Sequence, residues 1–203
     1  MIVIIDYWMG NLKSVYNALS TLNLPCKISS DISDIKNAEK LILPGVGAFN
    51  EAMDNLCNYR LIDAIKDKVN NGCPLLGICL GMQMLFEEGY EGEIRNGLGF
   101  IKGKIKRIEP KKYVKLPHIG WNRLETNNYN NILYGVSEEN FVYYVHSFMA
   151  RDMEDVNLVA YSEYGGVKIP GLVNKDNIYG AQFHPEKSGE IGLKILRNFG
   201  EMI

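Results

Sequence analysis

Apolar residues along this chain cluster in short runs of two different periods. "IVIID" (2–6) is a β-branched run of the kind that forms a buried parallel strand. In "GNLKSVYNALSTLN", Leu12, Val15, Leu19 and Leu22 recur at helical spacing. "CKIS" (26–29) and "KLILPGVG" (40–47) read as the next strands, the second running into a Pro-Gly turn. Residues 50–71 read as one or two helices stopped by Asn71-Gly72. "PLLGI" (74–78) is another buried strand, and a short helix is expected over 80–87. The first half is therefore β-α-β-β-α-β-α, a doubly wound α/β pattern.

The period then changes. "GKIKRI" (103–108), "FVYYVHSF" (141–148), "NLVAYSEY" (157–164), "KIPGLVN" (168–174) and "IYGAQF" (178–183) are short runs rich in β-branched and aromatic residues. A last helix over about 188–200 places Ile191, Ile195, Leu196 and Phe199 on one face. "TNNYNN" (126–131) is a polar surface loop, and the lysine-rich stretch 102–115 reads as a solvated strand edge. The expected architecture is a central, mostly parallel sheet flanked by helices, extended by antiparallel strands. Without repeats or a linker, residues 1–203 are expected to form one domain.

Ligands of doubly wound sheets bind at the carboxyl ends of the strands. One such end carries "GICLG", a strand-to-helix corner with Cys79 between Gly77 and Gly81. It has the mechanics of the G-x-S-x-G elbow, with sulfur for oxygen. The glycines let strand and helix approach, the corner exposes the thiol, and the following helix N-terminus favours a thiolate. A nucleophilic thiol needs a base and the base needs an orienting group. Of the three histidines, His184 follows a strand in "AQFHPEKS", with Glu186 two residues on. In extended chain, residues i and i+2 face one side, so the carboxylate can hold the imidazole. "LPGVGAF" (43–49) can turn backbone N–H groups toward an oxyanion, with the N–H of Leu80 as second donor.

Composition adds exclusions. A formal charge of −2 gives no field for nucleic acid or a membrane surface, and no apolar run has the length of a membrane span. The start has no signal-peptide pattern, so a reduced, cytoplasmic setting is expected. Of the four cysteines, Cys26, Cys57 and Cys73 read as small buried or half-buried residues without disulfides. Cys79 and the histidines lack metal-ligand spacing, so no metal is expected.

"PGVGAF", "GICLGMQ" and "FHPEKS", in that order, resemble class I (triad) glutamine amidotransferases over the full chain. "DYWMGNLKSV", "PHIGWN" and "VHSF" narrow the resemblance to the glutaminase subunits of imidazole glycerol phosphate synthases. The resemblance implies a flavodoxin-like fold and a catalytic triad of Cys79, His184 and Glu186. It implies an oxyanion hole from the backbone of Val46, Gly47 and Leu80, glutamine contacts from Gln83 and from His146, Ser147 and Phe148, and no cofactor. It further implies L-glutamine as substrate and a (β/α)8-barrel cyclase partner in a heterodimer, met by Asn11, Trp121, Asn122 and Lys187. The cyclase uses the ammonia to make imidazole glycerol phosphate and aminoimidazole carboxamide ribotide in histidine biosynthesis. Two positions depart from the family pattern. Trp8 stands where glycine is common, and Phe148-Met149 where tyrosine is. Both leave the triad intact and leave open a paralogue that feeds ammonia to a different synthase, such as one amidating a surface sugar.

Overall fold

The structure is a computed structural model and describes residues 1–136 and 140–203. In chain order its first elements are β1 (Ile2–Ile5), α1 (Leu12–Thr21), β2 (Cys26–Ser29), α2 (Ile32–Asn37), β3 (Lys40–Gly45), α3 (Phe49–Asn58), α4 (Leu61–Asn70), β4 (Leu75–Cys79) and α5 (Leu80–Gln83). Next come β5 (Phe86–Gly89), β6 (Arg95–Asn96), β7 (Ile101–Arg107), β8 (His118–Arg123), β9 (Glu125–Thr126), β10 (Phe141–His146) and β11 (Phe148–Arg151). The chain closes with β12 (Leu158–Tyr164), β13 (Val167–Lys175), β14 (Ile178–Ala181) and α6 (Gly189–Met202).

The main sheet has eight strands in the order β2-β1-β3-β4-β14-β13-β12-β9. The first five are parallel, and β13, β12 and β9 continue the sheet antiparallel. The parallel part has the 2-1-3-4-5 order of flavodoxin-like sheets, with its fifth strand supplied from the far end of the chain. Strand alternation divides the core into two layers. Val3, Ile5, Leu41 and Leu43 pack on one face against α2, α3 and α4. Ile2, Ile4, Ile42 and Leu76 pack on the other against Val15 and Leu19 of α1 and Ile195, Leu196 and Phe199 of α6. Each such side chain, removed from water, contributes roughly 1.5–3 kcal/mol before entropy is charged against it. Lys40 reaches across to donate to the carbonyls of Phe199 (3.0 Å) and Gly200 (2.6 Å), tying the end of α6 to the sheet.

Two smaller sheets lie beside the main one, the ribbon β10-β8 and the four-stranded β11-β7-β5-β6. Several expectations need correction here. The apolar run after Gln83 is not a helix to residue 87, because α5 stops after one turn. The Met84 carbonyl accepts from Leu98 and the Leu85 carbonyl from Phe100 and Ile101, so Phe86–Gly89 is drawn out as β5. "FVYYVHSF" is two strands broken at Ser147, one in each small sheet. Lys102, Lys104 and Lys106 do not mark an edge. They line the solvent side of β7, an inner strand, and pair with Glu154, Glu88 and Asp152. The six-residue α2, capped where Asp31 accepts from the Ser33 N–H, falls where no helix is expected. All four cysteines are free, but Cys57 is exposed on α3 rather than buried.

Candidate active site

The carboxyl ends of β3 and β4, the break between β10 and β11, and the loop after β14 meet around one cavity of about 370 Å³. Its wall includes Val46, Gly47, Cys79, Leu80, Gln83, His146, Ser147, Phe148 and His184. The parallel strands β3, β4 and β14 deliver their carboxyl ends to one side, and the β10–β11 break of the small sheets adds the rest of the wall.

Cys79 is the last residue of β4 and sits at φ +55°, ψ −109°. A non-glycine residue there stores about 1–3 kcal/mol of backbone strain. The two glycines of the corner explain how the chain tolerates it. A Cβ on Gly81 would lie 1.7 Å from the Leu43 carbonyl oxygen, and one on Gly77 would lie 2.6 Å from the Gly81 oxygen. The corner therefore needs bare backbone on both sides of the thiol. With four residues, α5 has little macrodipole, so the expected help from the helix N-terminus is small.

His184 is 1% exposed. Its Nδ1 lies 2.8 Å from Glu186 Oε1, and its backbone N–H donates to Tyr143 O at 2.9 Å. Glu186 reaches the ring from a 3-10 turn over Pro185–Lys187, not from the extended chain expected at that spacing. Burial pushes the imidazole pKa down, but the Cys79 sulfur and the Glu186 carboxylate outweigh it and hold the ring up to about 9. Its Nε2 is buried with no hydrogen bond of ordinary geometry among the described residues, and the Cys79 sulfur across the shared cavity is the group that acts on it. Gly47, at φ +102°, lets the turn after β3 present backbone to the same space.

His146 lines the cavity, but both its ring nitrogens are engaged within the protein. Nδ1 lies 2.8 Å from Phe148 O, and Nε2 lies 3.0 Å from His118 Nδ1. A carbonyl can only accept, so His146 carries its proton on Nδ1 and accepts at Nε2 from His118. Burial, with each ring's histidine neighbour adding to it, lowers His118 to about 3 and His146 to about 4, so both are neutral near pH 7. Of this segment, only the backbone and the Ser147 and Phe148 side chains remain free for a ligand.

The four residues expected at a partner surface lie outside the cavity. Trp121 is 56% exposed on β8 and meets Tyr143 edge-on at 6.0 Å. Asn122 is half-buried and donates to Glu163 O at 2.9 Å. Asn11 precedes α1 and accepts from Ser14 Oγ at 2.8 Å, and Lys187 is exposed beside the catalytic candidates. Around Trp121 the β8–β10 ribbon exposes Ile119, Phe141 and Val145. Trp8, at φ +65°, stacks on Tyr59 with ring centroids 3.6 Å apart. Two polar residues at the site escaped the sequence reading. Glu91 lines the cavity while accepting the Phe49 N–H at 2.9 Å, and the fully buried Gln182 lies behind Cys79. Gln182 stands inside the "AQFHPEKS" motif. Nothing local marks Glu91.

The whole chain is similar to known proteins. The family model "Glutamine amidotransferase class-I" matches residues 3–202. "Imidazole glycerol phosphate synthase subunit HisH" of Lactococcus lactis subsp. lactis (strain IL1403) is 50% identical, covering 100% of this chain and 98% of its own. The subunit of the same name from Bacillus subtilis (strain 168) is 47% identical, covering 100% and 96%. A solved structure, "Crystal structure of glutamine amidotransferase", superposes with a TM-score of 0.76 at 20% identity, covering 98% of this chain and 100% of that one, and shows the shared fold. A strained thiol, a buried histidine–carboxylate couple and full-length likeness agree: the chain belongs to the class-I glutamine amidotransferase family, among the HisH subunits of imidazole glycerol phosphate synthase.

Proposed function

We propose that this chain is the glutaminase subunit of an imidazole glycerol phosphate synthase and that Cys79, His184 and Glu186 carry its chemistry. The Cys79 sulfur attacks the side-chain carboxamide of glutamine, and the charge moves to the carbonyl oxygen. Backbone N–H groups at Val46, Gly47 and Leu80, which line the cavity, would hold that oxyanion. Collapse breaks the C–N bond, His184 gives its proton to the leaving nitrogen, and ammonia departs. Water, deprotonated by His184, then splits the thioester into glutamate and free thiol. Glu186 holds the ring and balances its positive charge. Glu91 lines the cavity, and a carboxylate there suits the α-ammonium of the substrate. The observation that carries this reading is a buried, carboxylate-held imidazole that shares a cavity with the strained thiol and whose protonated form that sulfur favours.

A cyclase subunit would receive the ammonia. The exposed apolar face of the β8–β10 ribbon, with Val145 in both ribbon and cavity wall, supports docking of a barrel at the cavity mouth. Asn11, Trp121, Asn122 and Lys187 are the contacts proposed for that partner.

The test is glutamine hydrolysis by the purified chain, with and without the histidine-pathway cyclase of the same organism and its ribonucleotide ligand. Strong stimulation is expected, and Cys79→Ala should abolish hydrolysis while partner binding survives. Substantial hydrolysis by Cys79→Ala would overturn the assignment of the nucleophile. Hydrolysis without stimulation would move the chain to another synthase, with the Trp8–Tyr59 stack the first surface to examine.

A further inference from the structure

Gln182 is a fully buried amide behind the nucleophile, 0% exposed on the loop that leads from β14 to His184. Its Nε2 lies 3.9 Å from Cys79 Sγ, and its Oε1 lies 3.0 Å from Gln83 Nε2. Which end of an amide faces which neighbour follows here from a fixed acceptor. The backbone carbonyl of Phe148 can only accept, and Gln83 Nε2 lies 3.1 Å from it. Gln83 must therefore turn its nitrogen inward, and its second N–H meets Gln182. That contact must be the Gln182 oxygen, which leaves the Gln182 nitrogen, a donor only, toward the sulfur. His146 Nδ1–H donates to the same Phe148 carbonyl and holds it in place. Each step has one solution, so the orientation at Cys79 is set from a backbone carbonyl three groups away.

We propose that Gln182 is a further catalytic residue: its amide presents an N–H to the Cys79 sulfur, in an orientation that Gln83 and the Phe148 carbonyl impose. This rests on Cys79 being the nucleophile. The protonated thiol donates to Val145 O at 3.9 Å and accepts from Gln182. On ionisation the contact with Val145 loses its proton and becomes repulsive, while the Gln182 N–H becomes a donor to an anion. Such charge-assisted bonds are the stronger kind. Gln182 thus favours the thiolate before glutamine arrives and again when the thiolate leaves at thioester hydrolysis. With both its N–H groups committed, Gln83 keeps only Oε1 to offer a ligand.

The experiment compares Gln182→Met and Gln182→Glu with the wild type in two assays. One is the pH dependence of Cys79 alkylation by iodoacetamide in the isolated chain. The other is glutamine hydrolysis in the complex with the cyclase. The groups facing Cys79 that also titrate or carry charge are His184 with Glu186 behind it, Tyr7 after β1, His146 at the end of β10 and Glu91 after β5. All are unchanged in both variants. Gln182→Met should move the alkylation midpoint upward by about one pH unit. It should lower kcat on the order of 10- to 100-fold with KM unchanged. Gln182→Glu should move both further, because it sets a carboxylate against the sulfur. Should Gln182→Met fail to fold, Gln83→Met frees the Gln182 amide to turn its oxygen to the sulfur and must raise the midpoint too. A folded Gln182 variant with an unchanged midpoint and unchanged kcat overturns the proposal, as does lowered thermal stability with no shift in midpoint. Hydrolysis surviving in Cys79→Ala would instead overturn the reading on which the proposal rests.

Discussion

Gly81→Ala adds one methyl group to the corner that holds Cys79, the proposed nucleophile. The new Cβ would stand 1.7 Å from the carbonyl oxygen of Leu43 on β3, where a carbon–oxygen contact needs about 3.3 Å. The shortfall of roughly 1.6 Å lies between two stretches of backbone, so no side-chain rotamer can absorb it. Leu43 is itself locked in register with Gly77 on β4, the strand that ends at Cys79. Relief requires α5 to lift from β3, carrying Cys79 and the Leu80 N–H with it. Overpacking of this kind costs about 3 kcal/mol, and a displacement near 1 Å at reacting atoms costs on the order of 100-fold in rate. Gly72→Ala is the control. Gly72 also has positive φ (+91°), but nothing lies within 4 Å of its Cβ position, and it precedes β4 at the opposite end of the strand. Its cost is the backbone term alone, about 1–2 kcal/mol. Urea unfolding followed by circular dichroism, paired with glutamine hydrolysis in the complex, separates the two. If Gly81→Ala unfolds no earlier than Gly72→Ala and hydrolyses glutamine at the wild-type rate, the account of the corner is wrong.

Two further outcomes follow from the buried histidines. His118 and His146, lowered to about 3 and about 4, stay neutral in the native chain while the unfolded chain protonates them near 6.5. Their contribution is therefore present above pH 6.5 and is lost as pH falls toward 4, with a slope that approaches about 2.7 kcal/mol per pH unit once both unfolded rings are protonated. His118→Phe, which keeps a ring between Tyr144 and Tyr164, should roughly halve that slope in urea titrations at pH 7, 6 and 5; an unaltered slope would refute it. Glu186→Gln removes the carboxylate that helps hold His184 up to about 9. Burial then weighs more, so the imidazolium should titrate at lower pH by NMR and hydrolysis should slow at least 100-fold, whereas an unmoved midpoint would show that Glu186 does not hold the charge.

The sequence makes the candidate site more legible than the sheet that carries it, because the key parts of the site are local. Gly77, Cys79 and Gly81 are a pentapeptide, and His184 and Glu186 are separated by one residue. Their spacing carries meaning before any fold is known, although the 3-10 turn that joins histidine to carboxylate does not follow from it. The helices α1 and α6 are equally plain from their periodicity. What stayed hidden depends on distant partners. Phe86 is a strand residue because Ile101 pairs with it, and β14 is the fifth parallel strand because β4 receives it. Asp31 and Ser33 form a cap that only a six-residue helix uses. Glu91 and Gln182 acquire roles from atoms more than 40 residues away in Phe49 and Gln83. Periodicity does not report such contacts.

The β8–β10 ribbon sets a condition on how the chain is made. Ile119, Trp121, Phe141 and Val145 stand at 57, 56, 51 and 36% exposure on neighbouring strands. An open apolar surface of that kind invites self-association when nothing covers it. Copies produced in excess of a covering subunit would meet each other through the ribbon. With the cyclase docked on the ribbon as proposed, balanced synthesis of the two subunits is a matter of solubility as well as of stoichiometry, and the solution behaviour of the chain becomes a gauge of how much of that subunit accompanies it.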